Sequence, residues 1–130
     1  MKLYTIYAND TEGNWNLLID SITVQDTIIP VLSTLIESAD PLELGETETI
    51  QIDATDLSGI SYVLIDLDGV NYTMAFIGGN TWEYNSWTPI TSGLKLYTIY
   101  ANDTNGNWNS FNNDITIVDS NAPSLSNLFE

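Results

Sequence analysis

The chain has 130 residues, which is enough for one domain with a hydrophobic core but not for two domains of ordinary length. Its 18 Asp and Glu residues outnumber the two lysines, and the formal net charge of -16 excludes nucleic acid as a partner and disfavours anionic membrane surfaces. Cysteine and histidine are absent, which removes disulfides, thiolate zinc sites and the commonest general base, so we do not expect an enzyme.

The first predicted element is a hairpin near the start of the chain, and its sequence returns later. Residues 2–16 read KLYTIYANDTEGNWN and residues 95–109 read KLYTIYANDTNGNWN, so they differ only where Glu12 is replaced by Asn105. The same offset of 93 residues continues without a gap to the end of the chain. A period of this length is far longer than a solenoid repeat and close to one β-sandwich domain, so each repeat is predicted to be a whole domain.

Short alternating runs bounded by turn residues predict seven strands in one period and no helix. The predicted strands cover about 31–37, 47–53, 60–66, 70–76, 81–85, 95–102 and 109–118. Asp68 and Gly69 predict one tight turn, and Asn105 and Gly106 predict another with both residues at positive φ, which joins the last two strands as a hairpin. In the strand before that hairpin, Ile99 belongs to the face that is predicted to point inward.

Several segments resemble one known group of proteins. Tyr97 stands two residues before the place of the second cysteine in antibody domains, where a tyrosine corner would lie. DTIIPVLSTL and DSNAPSLSNL begin the two repeats, DLSGISYV follows the second strand, and YTIYANDTNGN spans the last hairpin. The chain therefore resembles the bacterial and archaeal immunoglobulin-like repeats of surface proteins. The resemblance implies an all-β, immunoglobulin-like seven-stranded β-sandwich in a tandem array, as in adhesins, surface layers and filaments.

This resemblance divides the chain into three parts. Residues 1–25 are predicted to be the F–G hairpin, the hairpin of the last two strands, of a preceding repeat, 26–118 a complete immunoglobulin-like domain, and 119–130 the first strand of a following repeat. The chain then holds two hairpins and one set of partner strands. We expect the chain ends to contact neighbouring copies or repeats through β-strands. No apolar run approaches the roughly 18 residues that span a bilayer, so this segment is not predicted to insert into a membrane. The resemblance to repeats of surface proteins implies an extracellular location.

A cluster of oxygen-bearing side chains is predicted at one pole of the sandwich. In immunoglobulin-like domains the segment before the first strand, the loop after the second strand and the last hairpin turn emerge at the same end. The residues involved are Asp26, Asp53, Asp56, Asn102, Asp103 and Asn107. Because Ca²⁺ takes six to eight hard oxygen ligands in flexible geometry, it is the candidate cofactor. The alternative is that these residues form turns and cap backbone amides.

Three Asn-X-Ser/Thr sequons are candidate glycosylation sites in an exported protein, at Asn9, Asn71 and Asn102. Asn9 and Asn102 occupy the same position of the repeat, beside a predicted hairpin turn. Because the chain is rich in Asn and Thr, sequons also arise by chance.

A group of aromatic residues gives the alternative function. Trp82, Tyr84 and Trp87 lie close together in sequence and could present flat rings to a sugar, which favours an adhesive module that binds glycans or a protein. The competing interpretation is that these rings pack in the core, where large aromatics dominate β-sandwiches. The leading prediction is a structural module of a stalk, filament or surface layer that spaces or assembles end to end.

Overall fold

Eleven β-strands account for the regular structure of residues 1–127 and 129, which the computed structural model describes. They are β1 (Lys2–Asn9), β2 (Trp15–Ile22), β3 (Val31–Glu37), β4 (Leu42–Glu43), β5 (Glu48–Thr55), β6 (Ile60–Leu67), β7 (Val70–Thr73), β8 (Ala75–Gly78), β9 (Thr81–Trp87), β10 (Gly93–Asp103) and β11 (Trp108–Val118). In this part of the chain no helix is long and apolar enough to cross a membrane. The prediction of an all-β protein is confirmed.

Strands β3 to β11 form two sheets that enclose the hydrophobic core. One sheet has the order β4-β11-β10-β6-β7 and the other has the order β3-β5-β9-β8. Period-two alternation turns one side of each central strand inward, so that Ile50 and Ile52 of β5 meet Ile65 of β6 and Ile99 of β10 in a single cluster. The architecture is therefore a β-sandwich.

The strand count differs from the predicted seven. The predicted strand 70–76 is two strands in different sheets, since β7 pairs with β6 whereas β8 pairs with β9. Met74 lies between them, is 1% exposed, and donates its backbone N–H to the carbonyl of Val63, so it holds the crossing point in the core. The two-residue strand β4, which pairs in parallel with β11, was not predicted.

The two predicted tight turns have different geometries. Asp68 and Gly69 both have positive φ and join paired residues Leu67 and Val70, as expected for a two-residue hairpin turn. At the second turn Gly106 has φ +87, but Asn105 does not share a positive φ. The predicted hairpin is present, but the prediction of positive φ at Asn105 is wrong, because the Asp103 carboxylate accepts the N–H groups of residues 105 and 107 and shapes a five-residue loop over 103–107.

Strands β1 and β2 form a separate two-stranded sheet in which every residue is exposed. Their register repeats that of β10 and β11: Lys2 pairs with Ile22 as Lys95 pairs with Ile115. The turns match as well, since the Asp10 carboxylate accepts the same N–H groups as Asp103. One hairpin is thus packed in the sandwich, while its near-copy is bare.

The C-terminal segment contains no strand between residues 119 and 127. It begins against the sandwich, where the Glu43 carboxylate accepts hydrogen bonds from Ser120 N at 2.8 Å and from Asn121 Nδ2 at 3.1 Å. Leu128 and Glu130, which belong to the predicted final strand, lie outside the described residues. The assignment of 1–25 and 119–130 to neighbouring repeats stays a prediction.

Candidate functional site

Three of the six predicted calcium ligands meet at the pole of the sandwich from which the last hairpin turn projects. Asp26 in the segment before β3, Asp56 after β5 and Asp103 at the end of β10 place carboxylate oxygens within 4.8 Å of one another. Asn107 joins them, because its Nδ2 donates to Asp103 Oδ2 at 2.7 Å and to the Asp26 carbonyl at 3.2 Å. Linker, loop and hairpin turn therefore converge as the sequence predicts.

The protein itself supplies hydrogen-bond donors to this cluster but no cation. The 1% exposed Asp103 is desolvated, which raises its pKa, but hydrogen bonds from Asn107, Asn105 and Gly106 outweigh that effect and hold the pKa below its usual value. Asp56 accepts hydrogen bonds from Ser58 N and Oγ. Among the described residues the only salt bridge joins Lys95 to Asp68, at 3.9 Å, so no lysine neutralises the cluster.

Two predicted ligands point elsewhere. Asp53 lies within β5, which continues to Thr55, and its carboxylate accepts the Thr81 hydroxyl at 2.6 Å. With the Asn102 amide oriented so that its oxygen faces Trp108 Nε1 at 2.8 Å, that oxygen accepts the indole N–H and the amide nitrogen donates to the Asp103 carbonyl. Sequence analysis also missed a participant, Asn105, whose Nδ2 donates to Asp26 Oδ2 at 3.2 Å. The sequence did mark Asn105, because it is the single difference between the copies at 2–16 and 95–109.

Calcium binding stays a prediction, and it has a direct test. Adding Ca²⁺ to protein stripped with EDTA is expected to raise the melting temperature, because an ion that binds only the folded state adds about 2.7 kcal/mol at a hundredfold excess over Kd. Asp56→Asn, which keeps the acceptor for Ser58, should remove most of the shift, whereas Asp53→Asn should not. No shift in the wild type at millimolar Ca²⁺ would reject the site.

The three sequons lie in different surroundings. Asn9 at the end of β1 and Asn71 in β7 are exposed. Asn102 is only 7% exposed, and both ends of its amide are already hydrogen-bonded. The repeat-equivalent residues Asn9 and Asn102 thus differ in accessibility because only the second hairpin is packed. A glycan on Asn102 would displace the contact with Trp108, whereas Asn9 and Asn71 have room for one.

The three aromatic residues of the alternative ligand site do not share one surface. Trp87 is 8% exposed and belongs to the core, so it cannot present a ring face to a sugar. Tyr84 is half-buried and packs against Tyr72 with ring centroids 5.1 Å apart. Trp82 packs against Phe76 at 5.4 Å and forms one wall of an open cleft of about 370 Å³ that also includes Asp56. Trp82 therefore borders a concave surface.

A buried polar group lies beneath the hairpin, away from the acidic pole. The hydroxyl of Tyr97 donates to Glu37 Oε1, and Asn113 Nδ2 donates to the same oxygen at 3.1 Å. Burial and the hydrogen bond to Glu37 raise the pKa of Tyr97 well above its usual value. Glu48 is fully buried nearby and accepts Ser38 N through Oε1, whereas its Oε2 has no hydrogen-bond partner among the described residues. Position 97 thus ties β10 to β3 through a side chain.

Comparison with known proteins supports the fold class. No family model and no curated protein matches this sequence. Among solved structures, the chain is similar to part of dimeric latent PorU from Porphyromonas gingivalis, with a TM-score of 0.55 and 16% sequence identity. The match covers 93% of this chain but only 14% of the PorU chain. At this identity the similarity shows the fold alone, and that fold is an all-β sandwich of a kind found in a bacterial protein.

Proposed function

We propose that the chain is a structural module of an extracellular tandem-repeat protein, a stalk, filament or surface layer, whose domains are spaced or assembled end to end. One observation carries the proposal: the same hairpin occurs twice with the same register and turn, once packed in the sandwich and once bare. A chain with one hairpin more than it can bury is suited to contact with a neighbouring unit. The acidic, lysine-poor composition keeps such an exposed array soluble.

The strand order supports an immunoglobulin-like assignment for residues 26–118. The N-terminal edge of the sandwich is shared between the two sheets, because β3 pairs with β5 in one sheet and β4 crosses over to pair in parallel with β11 in the other. The remaining strands follow the order of an immunoglobulin sandwich, with β5, β9 and β8 facing β11, β10, β6 and β7. The bacterial surface repeats that the sequence resembles belong to this class.

The segments at the two poles support end-to-end spacing. At the start of the domain, Asp26 and Pro30 accept hydrogen bonds from Asn107 and Asn109 of the hairpin. At its end, Ser120 bonds to Glu43. Because Asp26 and Asp119 are repeat-equivalent, the segment that leaves one domain would be held by that domain and then by the next one. A linker fixed on both sides limits bending between units.

Self-association of the full chain tests the proposal. We expect light scattering to find oligomers of the 130-residue protein and monomers of a fragment restricted to residues 26–118, because unpaired strand edges that carry apolar side chains seek partners. Ile6→Asp in the full chain should lower the oligomer fraction, since Ile6 is 55% exposed on the bare hairpin. Two monomeric proteins at high concentration would contradict the account of the chain ends.

The alternative function, an adhesive module for glycans or a protein, is supported by the cleft beside Trp82. If a glycan array identifies a ligand, Trp82→Ala should weaken its binding about tenfold or more, because a stacked aromatic side chain contributes over 1 kcal/mol at a typical hot spot. Trp15→Ala, on the bare hairpin, is the matched control and should leave affinity unchanged. Equal affinity for both variants would remove Trp82 from the binding surface.

A further inference from the structure

The bare hairpin β1–β2 carries a copy of the face that β10–β11 buries. The five buried apolar residues of β10–β11 and their equivalents 93 positions earlier are identical at four places and differ by one methylene at the fifth, while the half-buried Phe111 corresponds to Leu18. These pairs are Tyr97 and Tyr4, Ile99 and Ile6, Ala101 and Ala8, Ile115 and Ile22, and Ile117 and Val24. Ile99 is 0% exposed whereas Ile6 is 55% exposed. The complement of the bare face is therefore a sandwich of the same kind, formed by strands like β3–β9.

That sandwich is not the one in the same chain. If β1–β2 occupied the place of β10–β11, Val24 would lie where Ile117 lies, while Pro30, held at the start of β3 by the pairing of β3 with β5, would remain beside the position that Asn109 now occupies. Eight residues of strand between Asn109 and Ile117 span about 27 Å. The six residues from Val24 to Pro30 reach at most about 21 Å when fully extended. The hairpin can be fully buried only in another unit.

Two substitutions distinguish the bare hairpin from the packed one where hairpin amides meet acidic residues. In the packed hairpin, Asn105 Nδ2 donates to Asp26 at 3.2 Å, and Asn113 Nδ2 donates to Glu37 at 3.1 Å. The equivalent residues of the bare hairpin are Glu12 and Asp20. Docking on a second copy of this sandwich would set each of these carboxylates against another carboxylate.

The Asp20 position is the more demanding of the two. Glu37 lies at a half-buried site, and the fully buried Glu48 is close enough to act on the same tyrosine hydroxyl, so an additional carboxylate there would be only partly solvated and would compete with Glu37 for that one hydroxyl. In the bare hairpin, Tyr4 donates its hydroxyl to Asp20 at 3.1 Å. Asp20 thus accepts the tyrosine hydrogen bond that Glu37 accepts in the packed hairpin, so the sandwich that takes up β1–β2 needs no acidic residue at the place of Glu37.

We propose that β1–β2 completes the sandwich of a different unit and that Glu12 and Asp20 are the residues that select it. The partner is a β-sandwich like β3–β9 with hydrogen-bond donors, amide, hydroxyl or basic, in place of Asp26 and Glu37. This inference rests on the proposed function, since it specifies which neighbour the bare hairpin binds. The two carboxylates keep identical sandwiches from exchanging hairpins.

The test uses full-length chains in which β10–β11 can no longer be buried. Ile99→Asp leaves the sandwich without a hairpin, while the β1–β2 hairpins of other copies keep Ile6. In EDTA, so that no cation bridges facing carboxylates, we expect Ile99→Asp to show no cooperative melting of the sandwich. Adding Glu12→Asn and Asp20→Asn to the same chain should restore a cooperative transition in an oligomer whose melting temperature rises with protein concentration.

Matched variants separate charge matching from general charge reduction. Changing the sandwich that receives the hairpin instead, with Asp26→Asn and Glu37→Gln on the Ile99→Asp chain, should also restore assembly. Removing two exposed charges elsewhere, with Glu46→Gln and Asp114→Asn, should not. Adding Ile6→Asp to any restored chain should abolish the oligomer, because the assembly depends on the bare face.

The possible results distinguish partner selection by Glu12 and Asp20 from the docking of β1–β2 on a sandwich. If Ile99→Asp alone assembles as well as the chain with Glu12→Asn and Asp20→Asn, the two carboxylates do not select the partner, although β1–β2 does dock. If neither set of added substitutions restores a cooperative oligomer, β1–β2 does not complete a sandwich of this kind, and the proposed end-to-end contact through this hairpin fails too.

Discussion

Replacing Ile99 with Asp is expected to lower the free energy of unfolding of the sandwich by about 4 kcal/mol or more, because an unpaired charge would replace a fully buried side chain. Ile99 is 0% exposed and belongs to the core cluster between the two sheets. Urea denaturation followed by circular dichroism measures the loss, and a spectrum without a cooperative transition would represent its upper end.

The chain supplies two controls for this change. Ile6→Asp makes the same substitution at the repeat-equivalent residue of the bare hairpin and should alter the free energy of unfolding of the sandwich by less than about 0.5 kcal/mol. Tyr100→Asp alters the adjacent residue on the other face of β10, where the side chain is partly exposed, and should also be milder. Equal losses for Ile99→Asp and Tyr100→Asp would show that the inward face of β10 has been misassigned.

Replacing Asp103 with Ala is expected to lower the melting temperature by about 10 °C, because the amides of the following loop would lose the buried carboxylate that accepts their hydrogen bonds. Its carboxylate accepts the N–H groups of Asn105 and Asn107 and the side-chain amide of Asn107. The matched control is Asp10→Ala, which removes the same turn from the bare hairpin. A drop of similar size in that control would mean that the loss of melting temperature comes from the turn itself and not from the packing of the turn in the sandwich.

Lowering the pH should narrow the difference between wild type and Asp103→Ala. The folded-state pKa of Asp103 lies below its ordinary value of 3.8, so the carboxylate stabilises the folded state above that pH, and the contribution is lost as the pH falls through the folded value. Melting temperatures measured from pH 7 down to the acid range should therefore converge below 3.8. Curves that stay parallel would show that the Asp103 charge does not contribute.

Strands with a long period-two pattern were predictable from the sequence, and strands defined by tertiary contacts were not. In β5 the buried Ile50 and Ile52 alternate with half-buried polar residues, which is the pattern that the sequence shows, whereas burial of the charged Glu48 is not. The division of the predicted strand at Met74 could not be seen in the sequence. Met74 is itself apolar and buried, so the period-two pattern continues through it. Strand β4 has two residues, too few for any period, and exists because Leu42 meets Ile117.

The acidic pole was predictable in part for a related reason. Knowledge of which loops share a pole brings Asp26, Asp56 and Asp103 together without any distance information. The prediction that Asp53 belongs to the cluster failed by a shift of only two residues. Strand β5 extends two positions beyond its predicted end, so Asp53 lies within the strand and not in the loop at the pole. Side-chain contacts such as the hydrogen bond between Asn102 and Trp108 depend on tertiary packing, which no local sequence pattern encodes.

The placement of the two terminal strands determines how the sandwich would respond to mechanical load. β3 begins at the pole where Pro30 is held by Asn109, and β11 ends at the opposite pole, where Val118 pairs with Glu43. Tension between the two linkers would therefore act along both strands rather than across them. Their interstrand hydrogen bonds lie across the strand direction and would be loaded together in shear instead of opening one at a time. Each domain in a pulled array would then yield as a unit.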